Sequence, residues 1–536
     1  MNKALFIVFF FFYSFLGFSQ EDAWVYFIDK PNAQYYFDNP LEMLSQRALD
    51  RRTNQNIPLN IDDIPLHLPY IDQVKLTPDL VVKAQSKWLN AIHVRGTQVA
   101  IESLRLLPFV DTVFFANRAL NSAGKPFQEK LVKKELQVQV DFTYGSAANQ
   151  IEMLNGNLLH QQDYTGSGKI IAVMDAGFPG VNTIAPFERL RANNQLLGGY
   201  DFVNRNADFY TGNNHGTLVL STMGGFVANQ YVGTAPDASY YLFITEDNND
   251  ENPLEESLWV EAAETADQLG VDIINTSLGY FTYQNPLYSY TYSDMNGSTS
   301  FISRGADKAF SKGIIVVVSA GNSGSSPTNP HVGSPADAIN VLTVGAVTAT
   351  ENYASFSSIG TSFDGRVKPD VMAQGQNSVV IDETGTIGSA NGTSFSSPIM
   401  AGAIASFWQA FPTFTNAQII QLVKQSADKY ATPNPQFGYG IPDFNLAKQN
   451  ALNRTEFSLT DYKLYPNPVS DFVNVVVPDS MIGFVFTLYT PIGQSILKQV
   501  IAQSSFTIAL ENLNRGVYFY KIDSLTGIKT GKIIKR

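Results

Sequence analysis

The stretch Asn391-Gly392-Thr393-Ser394-Phe395-Ser396-Ser397-Pro398 is where chemistry is most legible in this chain. The apolar run from Ile399 to Ala410 that follows it reads as a buried helix. A proline in the first turn of such a helix is tolerated, because its missing N–H would have no partner there anyway. Ser394 then stands at the helix mouth, where free N–H groups and the helix dipole favour developing negative charge. That suits a serine nucleophile. It equally suits an N-cap serine, the commoner role for a serine before a helix. A serine nucleophile is weak at neutral pH and needs an adjacent base, and histidine is the usual base because its pKa lies near working pH. The chain has five histidines: His67, His93, His160, His215 and His331. His67 and His93 precede the central segment, His160 precedes its first strand, and His331 sits in a Pro-flanked loop. His215, in Asn214-His215-Gly216-Thr217, opens a helical stretch. A carboxylate on the far ring nitrogen would fix the tautomer and stabilise the imidazolium. Asp175 ends the apolar run Lys169–Met174 and precedes Ala176-Gly177. Asn322, in Ser319-Ala320-Gly321-Asn322-Ser323-Gly324, can aim its amide at an oxyanion beside the backbone N–H of Ser394. By itself it is also an ordinary residue of a Gly-rich turn.

The elements that must position these residues fill the middle of the chain, about 140 to 452. Apolar runs at Lys169–Met174, Tyr240–Thr245, Val271–Thr276, Ile314–Ser319 and Val341–Val344 alternate with helical periods such as Glu255–Leu269 and Ser303–Ser311. Continuous apolar strands alternating with helices predict a parallel sheet covered on both faces. In such sheets, sites form beyond the carboxyl ends of the strands. Asp175 and Asn322 follow strands, and His215 and Ser394 open helices. The chain order Asp, His, Ser is one of three known for serine triads. Gln284 to Ser300, rich in Tyr, Ser and Asn without periodicity, reads as a surface loop.

These motifs resemble those of the subtilisin-like serine proteases (subtilases). Asp175-Ala176-Gly177 resembles the family's Asp-Thr/Ser-Gly element, and His215-Gly216-Thr217 its His-Gly-Thr. Gly392-Thr393-Ser394-Phe395-Ser396-Ser397-Pro398 resembles its serine element, and Ser319-Ala320-Gly321-Asn322 its oxyanion motif. The resemblance covers about 300 residues. It implies an α/β fold with a doubly wound, mostly parallel sheet. It also implies a secreted serine endopeptidase that cuts protein or peptide substrates through an acyl-enzyme. Under it, Ser277-Leu278-Gly279 would pair with substrate backbone and Pro335-Ala336 would line a pocket. Two positions depart from the pattern: Leu218 stands where a second histidine is common, and Ala176 where Thr or Ser is. No cofactor is required; the resemblance raises calcium as a structural ion, though no ligand set stands out.

The flanks carry less chemistry. Residues 1–19, with Lys3 and then a Phe-rich apolar run to Leu16, read as a secretory signal, too short for a membrane span. Residues 20–135 alternate strand-like and helix-like stretches, with helices expected at Leu41–Arg52 and Val99–Leu106 and strands at Trp24–Ile28, Leu80–Gln85 and Val110–Phe115. This α+β segment resembles an inhibitory propeptide. Residues 456–536 turn to short strands and predict a small all-β sandwich. Tyr465-Pro466-Asn467-Pro468, Gly516-Val517-Tyr518 and the basic terminus resemble the sorting domain of the type IX secretion system. That resemblance implies export by outer-membrane secretion machinery to the cell surface or the medium. Read by composition alone, Gly531–Arg536 is a solvated end.

Other classes fit worse. The net charge is −12 without a central basic block, which argues against nucleic acid as a partner. The absence of cysteine removes disulfides and thiolate chemistry. No His-Glu-x-x-His occurs. Gly166-Ser167-Gly168-Lys169 precedes a strand, which a phosphate loop does not. Ser396 stands where an α/β-hydrolase needs glycine. The acidic serine-carboxyl peptidases share the Gly-Thr-Ser element but do not use a histidine base. A non-catalytic surface binding protein on the same fold is the remaining alternative.

Overall fold

The computed structural model describes residues 20–121, 142–247, 250–456 and most of 463–536. The signal read at 1–19 and the last propeptide residues, 122–135, lie outside the described residues.

The N-terminal segment is an antiparallel sheet of β1 (Gln20–Phe27), β2 (Leu80–Ser86), β3 (Ala91–Thr97) and β4 (Val110–Phe115), in the order β2-β3-β1-β4. Between β1 and β2 the chain forms α1 (Ala33–Asp38), α2 (Gln46–Asn54) and α3 (Leu68–Lys75); α4 (Gln98–Ser103) precedes β4. The single helix expected at Leu41–Arg52 is split, because Ser45 accepts the Ala48 N–H at 3.2 Å and caps a fresh start for α2. Likewise α4 ends at Ser103 and a 3-10 turn carries on to Leu106. One sheet face holds Val25, Val94, Val113 and Phe115 against Ile71, Val74 and Ile101. The other presents Trp24, Ala84 and Trp88 to the central domain, in one core with Trp259, Phe301 and Val316.

The central domain opens with the short helices α5 (Ala148–Glu152) and α6 (Asn157–His160). It is then built on a seven-stranded sheet. The strands are β5 (Ile170–Asp175), β6 (Leu196–Asp201), β9 (Ser239–Ile244), β10 (Ile273–Thr276), β11 (Ile315–Ser319), β12 (Leu342–Val347) and β13 (Val371–Gln374). A two-residue ladder, β7 (Phe226–Val227) with β8 (Tyr231–Val232), stands apart. The order β13-β12-β11-β10-β5-β9-β6 has every neighbouring pair parallel. Strands β5, β10, β11 and β12 are buried along their length, which explains why they read as unbroken apolar runs. Strand β6 was not legible, since Gly198-Gly199 interrupts it, nor was β13, only four residues long. After α7 (Glu188–Ala192), α8 (His215–Gly224) packs with α11 (Thr393–Ala410), and α9 (Leu254–Leu269) with α10 (Phe301–Ser311). Then β14 (Ser378–Ile381) and β15 (Ile387–Ala390) form a hairpin before α11, and α12 (Asn416–Gln425) and α13 (Phe444–Glu456) follow it.

Gln284–Ser300 is a surface loop, as expected, but one anchored by buried side chains. Tyr288, Tyr290 and Met295 are buried, and the hydroxyls of Tyr283 and Tyr290 donate to Glu256 Oε1 at 2.7 and 2.6 Å. A buried carboxylate needs donors, and the tyrosines supply them without leaving any periodic pattern.

The C-terminal unit has two sheets, β16-β17-β20 and β19-β18-β21-β22, from β16 (Lys463–Tyr465), β17 (Phe472–Val476), β18 (Val485–Tyr489), β19 (Ser495–Val500), β20 (Ser505–Ala509), β21 (Gly516–Ser524) and β22 (Gly527–Lys535). Val473, Phe486, Ile508 and Ile522 lie in their common core. The basic terminus is not a loose end: β22 pairs with β21, Ile533 is buried, and Lys535 bonds the Ser470 carbonyl.

Candidate active site

Asp175 is the last residue of β5 and is 2% exposed. Its Oδ1 accepts the Ala176 N–H at 2.8 Å and stands 2.8 Å from His215 Nδ1. The segment leading into α8 is brought to it by close backbone packing at Gly177. There φ is +148°, and a Cβ would lie 2.3 Å from Thr211 O. Asn213 N then bonds Ala176 O at 3.0 Å and Phe178 N bonds Thr211 O at 2.9 Å. His215 follows as the first residue of α8, its N–H bonded to Asn213 Oδ1 at 2.9 Å. The Asp175 carboxylate, chiefly by its charge, holds His215 above the usual histidine range; burial opposes this, and the hydrogen bond and Glu246 add to it.

Ser394 sits differently from expectation. Helix α11 starts at Thr393 after Gly392, so Ser394 lies inside the first turn and is not the cap. Pro398 is then one turn further in. A proline there leaves the carbonyl four residues back, that of Ser394, without its helical partner. Ser277 Oγ fills that place, donating to Ser394 O at 2.9 Å. Asn275 Nδ2 in turn bonds Ser277 Oγ at 3.0 Å. Ser394 Oγ donates to Ser277 O at 3.2 Å. Catalytic hydrogen bonds are often slack until substrate is present.

Asn322 lies three residues past β11. Its Oδ1 accepts both the Thr393 N–H at 2.9 Å and the Thr393 hydroxyl at 3.0 Å. A backbone N–H can only donate, so the amide oxygen faces Thr393 and Nδ2 is left to donate elsewhere. A Cβ at Gly392 would lie 3.5 Å from Asn322 Nδ2 and 3.7 Å from Ser394 N. Two donors therefore converge on one small space at the start of α11.

Beside it opens a cavity of about 200 Å³ lined by Ser277, Leu278 and Gly279, by Ser319 to Asn322, and by Ser334 and Ala336. Pro335 is not on its wall. His331 is, and sequence reasoning set it aside; its ring stacks on Tyr292 at 4.0 Å. Its place just ahead of the Ser334–Ala336 element was the available clue. Glu246, two residues past β9, was also missed. It accepts the Tyr280 hydroxyl at 2.5 Å, and burial pushes its carboxyl up to about 8. Among the described residues, no three His, Asp or Glu side chains gather in a way that could hold a metal.

Comparison with known proteins gives three matches along the chain. Residues 166–441 match the subtilase family, 22–134 the peptidase S8 propeptide domain of Bacteroidota, and 463–536 the secretion system C-terminal sorting domain. Subtilisin NAT of Bacillus subtilis subsp. natto is 33% identical over 343 residues, 62% of this chain and 81% of the relative. Subtilisin DY of Bacillus licheniformis is 32% identical over 56% of this chain and 97% of its own length. Among solved structures, the chain is similar to the MycP3 protease of the type VII (ESX-3) secretion system, with 21% identity and a TM-score of 0.46 over 59% of this chain and 91% of that one. The sorting domain marks the chain for export across the outer membrane to the cell surface or the medium. The chain belongs to the subtilase family and is a serine endopeptidase with its own propeptide and an export tail.

Proposed function

We propose that the protease works through Asp175, His215 and Ser394. Ser394 Oγ attacks the scissile carbonyl carbon while His215 Nε2 takes the hydroxyl proton. The carbonyl oxygen becomes an oxyanion held by Asn322 Nδ2 and the Ser394 N–H. His215 then gives its proton to the leaving amine, and the C–N bond breaks to leave a Ser394 ester. Water, deprotonated by His215, hydrolyses the ester and restores the hydroxyl. Asp175 keeps Nδ1 protonated throughout, so that Nε2 is the free base. The substrate chain runs along Ser277-Leu278-Gly279, with one side chain in the adjoining cavity.

The observation that carries this reading is the 2.8 Å contact between Asp175 Oδ1 and His215 Nδ1, from the end of a buried strand to the start of a helix. A fluorophosphonate serine probe on purified, propeptide-free protein, with casein turnover in parallel, tests it. Labelling mapped to Ser394 together with turnover supports the triad. Folded protein that neither labels nor cleaves would leave a binding role on the same fold.

Replacing Asn322 by Ala removes one oxyanion donor and is expected to lower kcat by about 10²–10³-fold with little change in KM. Because Asn322 Oδ1 also holds Thr393, Asn322→Asp is the companion variant: it keeps an acceptor for the Thr393 N–H, loses the Nδ2 donor and adds a negative charge beside the oxyanion. Steady-state kinetics on a peptide anilide would show a loss in Asn322→Asp at least as large as in Asn322→Ala if donation to the oxyanion is the role, and unchanged kcat in Asn322→Asp would remove that role.

A further inference from the structure

Separate elements of the propeptide make two of its contacts with the catalytic domain. The first contact is its sheet on α9 and α10, where Trp24 Nε1 donates to Ser257 Oγ at 2.8 Å and the Trp24 ring stacks on Phe301 at 5.1 Å. The second is made by the excursion between β1 and α3, and it touches none of the residues assigned to catalysis.

Arg47, Arg51 and Arg52 of α2, with Gln55 just after it, carry the centre of that second contact, flanked by Ser45 N on Gln268 O at 2.9 Å, Lys308 on Asp62 at 2.6 Å and Lys312 on Asp63 at 3.1 Å. Arg47 Nε bonds Gly270 O at 2.9 Å, and its guanidinium meets Asp272 Oδ2 at 2.5 Å. Arg51 bonds the carbonyls of Val271 and Lys312 at 2.5 and 3.2 Å and pairs with Asp267. Arg52 bridges Asp63 at 2.9 Å and Asp267 at 2.7 Å. Gln55 Nε2 bonds Gly313 O at 2.8 Å, and its Oε1 accepts the Asn416 N–H at 3.2 Å. Residues 270–272 lead into β10 and residues 312–313 into β11, so the contact lies at the amino ends of the strands. Asp175, Ser277 and Asn322 follow the carboxyl ends of β5, β10 and β11. The two sites are on opposite edges of one parallel sheet.

Burial makes this contact strong in consequence. The side chains of Arg51, Arg52, Asp63 and Asp267 are 4%, 2%, 0% and 0% exposed. Removing one partner of such a pair strands a charge in the interior, a far larger penalty than losing a surface ion pair.

The geometry points to a second docking site on the catalytic domain, centred on Asp267 and Asp272, whose ligand is the arginine-bearing helix α2. This site holds the propeptide in place after the chain between the two domains has been cut, without any help from the active site. The sheet contact and the arginine contact act as two linked binding modules, so either one raises the effective concentration of the other. Inhibition would then outlast the cut, and release would require the arginine contact to be broken or digested.

The test does not depend on the triad. The full chain is made with Ser394→Ala, and a recognition sequence for an unrelated protease is placed within 122–141. After that protease has cut, loss of the propeptide from the complex is followed by size-exclusion chromatography and by dissociation kinetics. The parent is expected to keep its propeptide, and Arg51→Ala with Arg52→Ala to release it at least a hundred-fold faster. Arg47 is half-exposed, and Arg47→Ala is expected to release it about tenfold faster. Immediate release from the cut parent overturns the proposal. So does a folded Arg51/Arg52 variant that holds the propeptide as the parent does. If that pair of changes prevents folding, Arg47→Ala decides the matter, and release at the parental rate counts against the site.

Discussion

Replacing Ser394 by Ala is expected to lower kcat by about 10⁶-fold, because the nucleophile and its base act as one unit and the loss of either removes the acyl-enzyme route. What remains is the catalysis that substrate binding and the two oxyanion donors supply alone. His215→Ala should cost nearly as much, and the double variant hardly more than either, since the effects of a unit do not add. The fold should barely notice. Ser394 Oγ makes one hydrogen bond, to Ser277 O at 3.2 Å, and a single neutral bond of that kind contributes about 0.5–1.5 kcal/mol. The backbone link from Ser277 Oγ to Ser394 O is untouched by the change. Burst and steady-state kinetics, read beside the melting temperature, separate the two effects. A variant that melts like the parent and retains more than about 1% of its turnover would falsify the nucleophile assignment.

The second large effect is expected from Asp175→Asn: a fall of about 10⁴-fold in kcat with the fold retained. One carboxylate oxygen serves both the Ala176 N–H and His215 Nδ1, each at 2.8 Å. Asparagine can still accept from Ala176, but it offers His215 no negative charge. The imidazolium formed during attack then loses its counter-charge, and the imidazole is free to take the tautomer that protonates Nε2. The pH profile distinguishes this from a loss of packing. His215 must be neutral to act as a base, so kcat/KM falls as pH drops through its pKa. Asp175 holds that pKa above the ordinary histidine range, which places the acid limb of the parent at higher pH than a free histidine would give. In the asparagine variant the limb should move to lower pH. An unmoved limb, or unchanged kcat, would dispose of the orienting role.

Both predictions rest on residues that could be named from the sequence, and the reason is local. Asp175 ends a run of buried β-branched residues, and His215 and Ser394 open helices, because a parallel sheet presents chemistry at its carboxyl edge. Short motifs of fixed spacing follow from that geometry: Gly177 admits the segment before His215, and Gly392 clears the space between Asn322 Nδ2 and Ser394 N. Strand runs that are buried on both faces also announce themselves, as β10 and β11 do. What failed were readings that depended on partners far along the chain. The Tyr-rich stretch is a loop as read, but the burial of its tyrosines was not legible, since they have no period and their partner, Glu256, lies on another element. The basic terminus looked solvated because the groups that tie down its end, the backbone of Val469 and the Ser470 carbonyl, come more than 60 residues earlier.

The sequence by itself determined the chemical inventory: a serine, a histidine, an aspartate and an asparagine, each at an element boundary where backbone geometry makes a side chain available. Tertiary structure alone decided how that inventory is held. Pro398 frees the Ser394 carbonyl, but only folding brings Ser277 from 117 residues away to bond it. His331 joins the cavity wall, and Glu246 turns to Tyr280, through packing that no local pattern records. Arg51 and Arg52 close a stretch expected only to be helical, yet they are buried against Asp267 across more than 200 residues. The physical reason is the same in each case. Backbone rules act over a few residues and leave a periodic trace. A buried polar partner is selected by desolvation at the place where the chain happens to return, and it leaves none.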